Sequence, residues 1–229
     1  KINVKFFGVI GCLIGLFLII ILEYLDSTVK IPEDIEKDLE LPILAVIPQG
    51  EQATEAYRVL RTNLYNFKTD GKKQTIVITS ADRSENKSMV AENLAITMSK
   101  IQQKVLLVDG DIREPKIHTA LKLDNEFGLS NILSDDLDYT KVIQKTDSQT
   151  LDVLTAGPRL ANPAELLLSE KLEPLFKELQ REYDTIIIDS HFLGSMSDAM
   201  AFSTFADGVI LVCTVGESDV NDINMGKKL

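Results

Sequence analysis

The stretch "QTIVITSADRSENKSMVAENLA", Gln74 to Ala95, decides the fold. Its first part, "TIVIT" (Thr75–Thr79), is a continuous β-branched run of the kind buried on both faces in a parallel sheet. Its last part opens "KSMVAENLAITMSKI" (Lys87–Ile101), which reads as a helix. The loop between them ends in the pair Lys87-Ser88, where a strand–loop–helix unit offers a cation to phosphate and a hydroxyl to magnesium. Yet from Ser80 to Ser88 the loop holds no glycine. Glycine serves such loops because backbone N–H groups must turn inward at phosphate, often at positive φ and with no side chain in the way.

Strands and helices alternate on either side of this unit. "KVLLVDGD" (Lys104–Asp111), "LDVLTAG" (Leu151–Gly157), "DTIIIDS" (Asp184–Ser190) and "GVILVCT" (Gly208–Thr214) read as further strands. "EAYRVLRTNLYNF" (Glu55–Phe67) and "SEKLEPLFKELQREY" (Ser169–Tyr183) repeat apolar residues at helical spacing, the second through Leu172, Leu175, Phe176 and Leu179. This βαβ alternation predicts an α/β domain with a doubly wound, mostly parallel sheet. Ligands bind such sheets at the carboxyl ends of the strands. Three strands deliver polar chemistry there: Lys87 and Ser88 after the first, Asp109, Asp111 and Arg113 in "LLVDGDIREP", and Asp189 in "IIIDS". A phosphate-binding lysine, a hydroxyl for Mg²⁺ and carboxylates at neighbouring strand ends are the parts of a P-loop nucleotide site. The other reading is that the acids cap helices or solvate the sheet edge.

"FFGVIGCLIGLFLIIILEYL", Phe6 to Leu25, carries no charge from Phe6 to Leu22 and reads as a transmembrane helix. A buried core helix and a cleaved signal peptide are the competing readings; no small-residue cleavage site follows, and "EYLD" continues the helix. Residues 26–54 read as a juxtamembrane linker, with Pro32, Pro42 and Pro48, a short acidic helix and an extended "ILAVIP". Residues 55–229 form the α/β domain. Because the chain begins with Lys1 and ends in "NMGKKL", it reads as a fragment of a longer protein. The net charge of -11 argues against a nucleic-acid partner. Cys12 and Cys213 suggest neither a disulfide framework nor a zinc site, and His118 and His191 stand isolated.

Four motifs carry a resemblance. "VLLVDGDIREP" is similar to the second Walker motif of bacterial tyrosine kinases (BY-kinases), the capsule and exopolysaccharide relatives of the MinD/ParA class of P-loop ATPases. "EAYRVLRTNL" matches their E-x-x-R-x-x-R helix through Glu55, Arg58 and Arg61, and "LTAGPRLANPAELLLSE" resembles their stretch after the third strand. "EYLDSTVKIPEDIEKDLELPILAVIP" is similar to the last span and cytoplasmic tail of polysaccharide copolymerases, the chain-length regulators. The resemblance implies ATP and Mg²⁺ as cofactors and Ser84, Glu85, Asn86, Lys87, Ser88 and Met89 as the nucleotide-binding loop. It implies that Lys87 contacts the β- and γ-phosphates and that Ser88, Asp109 and Asp189 hold the metal. Asp109 and Asp111 serve the metal and the incoming hydroxyl, with Asp111 the better general base. The resemblance also implies that Glu55, Arg58 and Arg61 form an inter-subunit contact in a homo-oligomeric ring. The implied partners are the membrane and the polysaccharide polymerase and export machinery. Because the implied nucleotide is cytosolic, the resemblance implies that the domain sits on the cytoplasmic side of a bacterial cell membrane.

The chain also departs from that pattern. The family's loop reads roughly S-x-x-P-G-x-G-K-S; here Arg83 replaces the proline, and Ser84 and Asn86 replace the glycines. Asn86 is the milder loss, since Asn tolerates left-handed backbone better than most residues. Asp82 and Glu85 add negative charge beside a polyanion site. After the fourth strand the family has Asp-x-Pro-Pro; "DSHFLG" (Asp189–Gly194) keeps the acid and loses both prolines. The sequence stops at Leu229, about where one more strand and the family's C-terminal tyrosine cluster should follow, and none of Tyr24, Tyr57, Tyr65, Tyr139 and Tyr183 stands out as a phosphosite. The leading reading is a membrane-anchored, BY-kinase-like regulator of capsular or exopolysaccharide chain length and export with impaired ATP turnover. One alternative is an active ATP-dependent tyrosine autokinase; the other is a MinD/ParA-like membrane-positioning ATPase.

Overall fold

A computed structural model describes residues 4–25, 27–67, 73–83 and 86–226. Its elements in chain order are α1 (Val4–Leu25), α2 (Pro32–Leu39), α3 (Ala53–Phe67), β1 (Gln74–Ser80), α4 (Lys87–Ser99), β2 (Val105–Asp109), α5 (Ile117–Leu121), α6 (Leu129–Asp135), β3 (Gln144–Lys145), β4 (Leu151–Leu154), α7 (Pro163–Leu167), α8 (Leu172–Glu182), β5 (Thr185–Asp189), α9 (Met196–Ser203), β6 (Gly208–Val212) and α10 (Val220–Gly226). Among the described residues the strands form one six-stranded sheet in the order β3-β4-β2-β5-β1-β6. The pairs β4-β2, β2-β5, β5-β1 and β1-β6 are parallel; only the two-residue β3 runs antiparallel, on the edge. The expected doubly wound α/β architecture is therefore present. The edge strand β3 was not expected, because two residues are too short to show a period.

The strand sequences read as unbroken apolar runs because both faces are covered. Alternate side chains go to opposite layers. Leu106, Val108, Ile186, Ile188 and Val77 join Leu175, Phe176, Leu179 and Phe202 on one face. Val105, Leu107, Ile187, Ile76 and Ile78 join Leu60, Leu64, Val90, Leu94 and Met98 of α3 and α4 on the other. The register aligns Asp109 of β2 with Asp189 of β5, and Asp189 with Ile78 of β1. Two acids more than seventy residues apart in sequence thus end neighbouring strands at one level. Gly110 lets that approach continue: its N–H donates to Asp189 O at 2.8 Å. A Cβ there would lie 2.8 Å from the Phe202 ring and 2.9 Å from Asp189 O.

The segment read as a linker runs along the domain surface. Thr28 bridges Asp219, Val29 N–H donates to Ser218 O at 2.9 Å, and Val220 N–H donates to Ser27 O at 3.0 Å. Val29 is buried with Ala81 and Ile223. Leu44, Ala45 and Ile47 pack against the α3–α4 layer, where Asn63 Nδ2 donates to Leu44 O at 2.7 Å. α1 leaves Leu13, Phe17, Ile20 and Leu22 exposed. Among the described residues no helix is long and apolar enough to cross a membrane. The transmembrane reading of residues 1–25 therefore rests on the sequence.

Candidate nucleotide site

α4 begins directly after the loop, which carries Lys87 and Ser88 onto the first helical turn beside the ends of β2 and β5. Lys87 is buried, and its Nζ lies 2.8 Å from Asp111 Oδ2 and 3.6 Å from Asp189 Oδ1. Burial alone would depress this ammonium, but Asp189, Asp111 and Asp109 outweigh it and raise its pKa. Asp111 is held below its ordinary value: burial pushes it up, but hydrogen bonding from His191 and the Lys87 charge win. Asp189 is pushed up to about 6 by burial, against the pull of Lys87. Asp109 is raised by burial and by the neighbouring Asp189. One cation thus neutralises part of a buried cluster of three carboxylates.

The acids differ in what else they hold. Asp109 Oδ2 accepts from the backbone N–H groups of Lys116 (3.2 Å) and Ile117 (3.1 Å), tying down the start of α5. The helix-capping reading is thus true of half of Asp109, while its Oδ1 is buried without a hydrogen bond. Asp111 Oδ1 accepts from Glu114 N–H (3.0 Å) and from His191 Nδ1 (2.8 Å). Both oxygens of Asp189 and the hydroxyls of Ser88 and Ser190 are buried without a well-formed hydrogen bond; Asp189 has only the Lys87 ammonium at 3.6 Å and the nearby Ser88 hydroxyl, both of which lower its pKa. Such orphans are costly and need a partner. Among the described residues no three acids, histidines or cysteines converge as a closed metal site. Magnesium does not require one: it keeps several waters and takes one or two carboxylates with the substrate's phosphates. The orphaned Ser88 hydroxyl and Asp189 oxygens fit that demand.

A cleft of about 300 Å³ lies between the start of α4 and α5, lined by Arg83, Asn86, Lys87, Ser88, Met89 and Lys116. The expected loop residues Asn86, Lys87, Ser88 and Met89 therefore share one cavity. Ser84 and Glu85 lie outside the described residues. Asn86 sits at φ -55°, so no left-handed tolerance is called on there, and its side chain makes no cap to α4. The Asp82 carboxylate accepts the Arg83 N–H at 2.5 Å, so a loop amide is spent on the loop itself. Arg83 forms an ion pair with Glu114.

Other sequence-predicted residues land elsewhere. Arg113 is engaged by the buried Asp198, through Nε at 2.6 Å and Nη2 at 3.1 Å. Glu55 and Arg58 pair with each other on an exposed face at 2.8 Å. Arg61 donates instead to Thr97 O at 2.8 Å, which ties α3 to α4 within the chain. His191, read from sequence as isolated, is 5 % exposed and bonded to Asp111. The one signal for it was its place two residues after the strand-end acid Asp189.

Comparison with known proteins agrees with this geometry. The AAA-domain family matches residues 73–220. Tyrosine-protein kinase YwqD of Bacillus subtilis is 36% identical over 177 residues, which are 77% of this chain and 75% of that protein. Tyrosine-protein kinase etk of Escherichia coli is 31% identical over 185 residues, 81% of this chain but 26% of that longer protein. Among solved structures, the chimerical protein CapA2B2 superimposes with a TM-score of 0.80 at 35% identity, covering 86% of this chain and 92% of that one. MinD of Pyrococcus horikoshii, complexed with Mg-ADP, superimposes with a TM-score of 0.57 at 26% identity, covering 68% of this chain and 65% of that one. With the sheet order, the Lys87-Ser88 helix start and the strand-end acids all in place, the chain belongs to the bacterial tyrosine-protein kinase family of P-loop proteins.

Proposed function

We propose that this chain is a membrane-anchored, kinase-like P-loop protein of capsule or exopolysaccharide assembly that binds Mg·ATP and turns it over poorly. One observation carries the nucleotide part: Lys87 and the orphaned Ser88 and Asp189 groups meet at the head of α4, beside a cleft. In this reading Lys87 exchanges Asp111 for the β- and γ-phosphates, a trade of one anion for another in a buried site. Ser88 and Asp189 would hold magnesium, with Asp109 and Asp111 behind them serving the metal through its waters. Bound magnesium supplies positive charge to the phosphates. Asp111, freed on one oxygen, accepts the proton of an incoming tyrosine hydroxyl; its lowered pKa makes it a weak base. The poor turnover is supported by the loop, where Ser84 and Asn86 replace glycine and Asp82 and Glu85 add negative charge beside the phosphate site. An active autokinase is favoured by the intact set Lys87, Ser88, Asp109, Asp111 and Asp189. Membrane attachment is supported by the exposed apolar side chains along α1, with the domain on the cytoplasmic side where nucleotide is found. The ring contact through Glu55, Arg58 and Arg61 and the link to polymerase and export machinery rest on the family likeness.

The test is titration of the full chain, in detergent or nanodiscs, with Mg·ADP and Mg·ATP. Weak binding is expected. Ser84→Gly with Asn86→Gly should tighten it by about tenfold, by freeing amides to turn inward. Tight binding that the glycines do not improve sinks the impaired-turnover reading and leaves the active kinase. No binding by either form sinks the nucleotide site.

A further inference from the structure

We infer that His191 is a positioning residue for Asp111, an inference that rests on the nucleotide-site reading above. Three donors from three elements pin the Asp111 carboxylate. Oδ1 takes the Glu114 N–H at 3.0 Å and His191 Nδ1 at 2.8 Å, while Oδ2 takes Lys87 Nζ at 2.8 Å. A carboxylate has no hydrogen to give, so Nδ1 carries the proton and is the donor. The imidazole is itself held. Thr79 Oγ1 donates to the His191 carbonyl at 2.7 Å, Ser190 N–H donates to Ile78 O at 2.8 Å, and the Phe192 ring lies 4.5 Å away. Both backbone anchors come from β1, so the aim of the ring is set by the sheet.

The consequence appears when Lys87 turns to a phosphate. Asp111 then loses its Oδ2 partner but keeps two donors on Oδ1, from the loops after β2 and β5. That pair fixes the carboxylate plane and leaves Oδ2 pointing into the site. Without His191, the Glu114 amide alone would remain, and the group could swing about that single bond. Proline stands here in the motif this stretch resembles and has no side-chain donor. The His191–Asp111 contact is therefore a device of this chain, where the resembled motif has proline.

Two measurements on the full chain decide it. The sequence has two histidines, so a ¹⁵N-histidine NMR spectrum resolves two imidazoles. One should show a slowly exchanging, downfield Nδ1–H that disappears in Asp111→Ala. A proton on Nε2 with Nδ1 bare, or an Nδ1–H signal that survives Asp111→Ala in a folded protein, overturns the inference. The second measurement is the gain in ADP affinity on adding Mg²⁺. His191→Ala and His191→Gln should lose about tenfold of it, the scale of one hydrogen bond to a charged group. His191→Asn should stay within about threefold of wild type, because its amide N–H reaches the Nδ1 position whereas that of Gln reaches Nε2. His191→Ala keeping the full gain, or Asn and Gln failing alike, overturns it. If wild type binds no Mg·ADP at all, the proposed nucleotide site falls, and the NMR measurement alone decides the His191 contact.

Discussion

Lys87→Met is the most informative single change, because Met keeps much of the length of the side chain and removes the charge. In the present fold Lys87 lies within 3.6 Å of Asp189 and 2.8 Å of Asp111, with Asp109 close enough to shift its pKa. Removing one partner of a buried ion pair strands the other and costs about 3–5 kcal/mol. In a domain of this size, that lowers the midpoint of thermal unfolding by about 6–20 °C at pH 7.5. The pH dependence follows from Asp189, which titrates at about 6 when folded against an ordinary 3.8. A raised folded pKa means the folded state holds the extra proton between those values. The stability contributed by protonated Asp189 is full below 3.8 and is lost as pH rises through 6. At 1.36 kcal/mol per pH unit, this is roughly 3 kcal/mol. In Lys87→Met the carboxylates rise further, since Lys87 lowers all three. The deficit of the variant should therefore shrink between pH 7.5 and pH 5.5 as they take up protons. The chain has no tryptophan, so circular dichroism or tyrosine fluorescence of the nucleotide-free protein reads the transition. A variant as stable as wild type at pH 7.5 would refute the reasoning, and so would a deficit that does not change with pH. Either would mean that Lys87 is solvated and merely waits for phosphate.

Two further changes test neighbouring parts of the structure. Gly110→Ala should cost about 1–3 kcal/mol by overpacking and weaken Mg·ADP binding, because its methyl would meet the Phe202 ring at 2.8 Å and push β2 from β5; unaltered melting would show that the strands can part freely. Arg61→Ala should lower stability by about 1.5–3 kcal/mol through loss of its bond to Thr97 O, whereas Arg58→Ala, on an exposed pair, should stay within about 1 kcal/mol of wild type. Light scattering on the same two variants reads the ring contact: a lower mass for Arg58→Ala supports it, and an unchanged mass for both leaves Glu55 and Arg58 as a solvated surface pair.

The long elements were legible in the residues themselves. β1, β2, β5 and β6 announce themselves as β-branched and apolar runs, and α8 as apolar residues at helical spacing; these signals are local and survive without knowledge of the fold. The strand-end positions of Lys87, Asp109, Asp111 and Asp189 followed from the same reading. Short elements such as β3, α5 and α7 did not, since two to five residues cannot display a period. Nor could the sequence say who pairs with whom. Arg61 looked like a surface residue of a charged motif and turned out to hold Thr97 O. Arg113 looked like part of the site and went to Asp198. His191 looked isolated, although eighty residues of chain return it to Asp111. Those partners are chosen by the register of the sheet, which sets Asp109 against Asp189 and brings the loops after β2 and β5 side by side. Register is won by burial of both apolar faces at once, a sum over the whole core that no local stretch of residues contains.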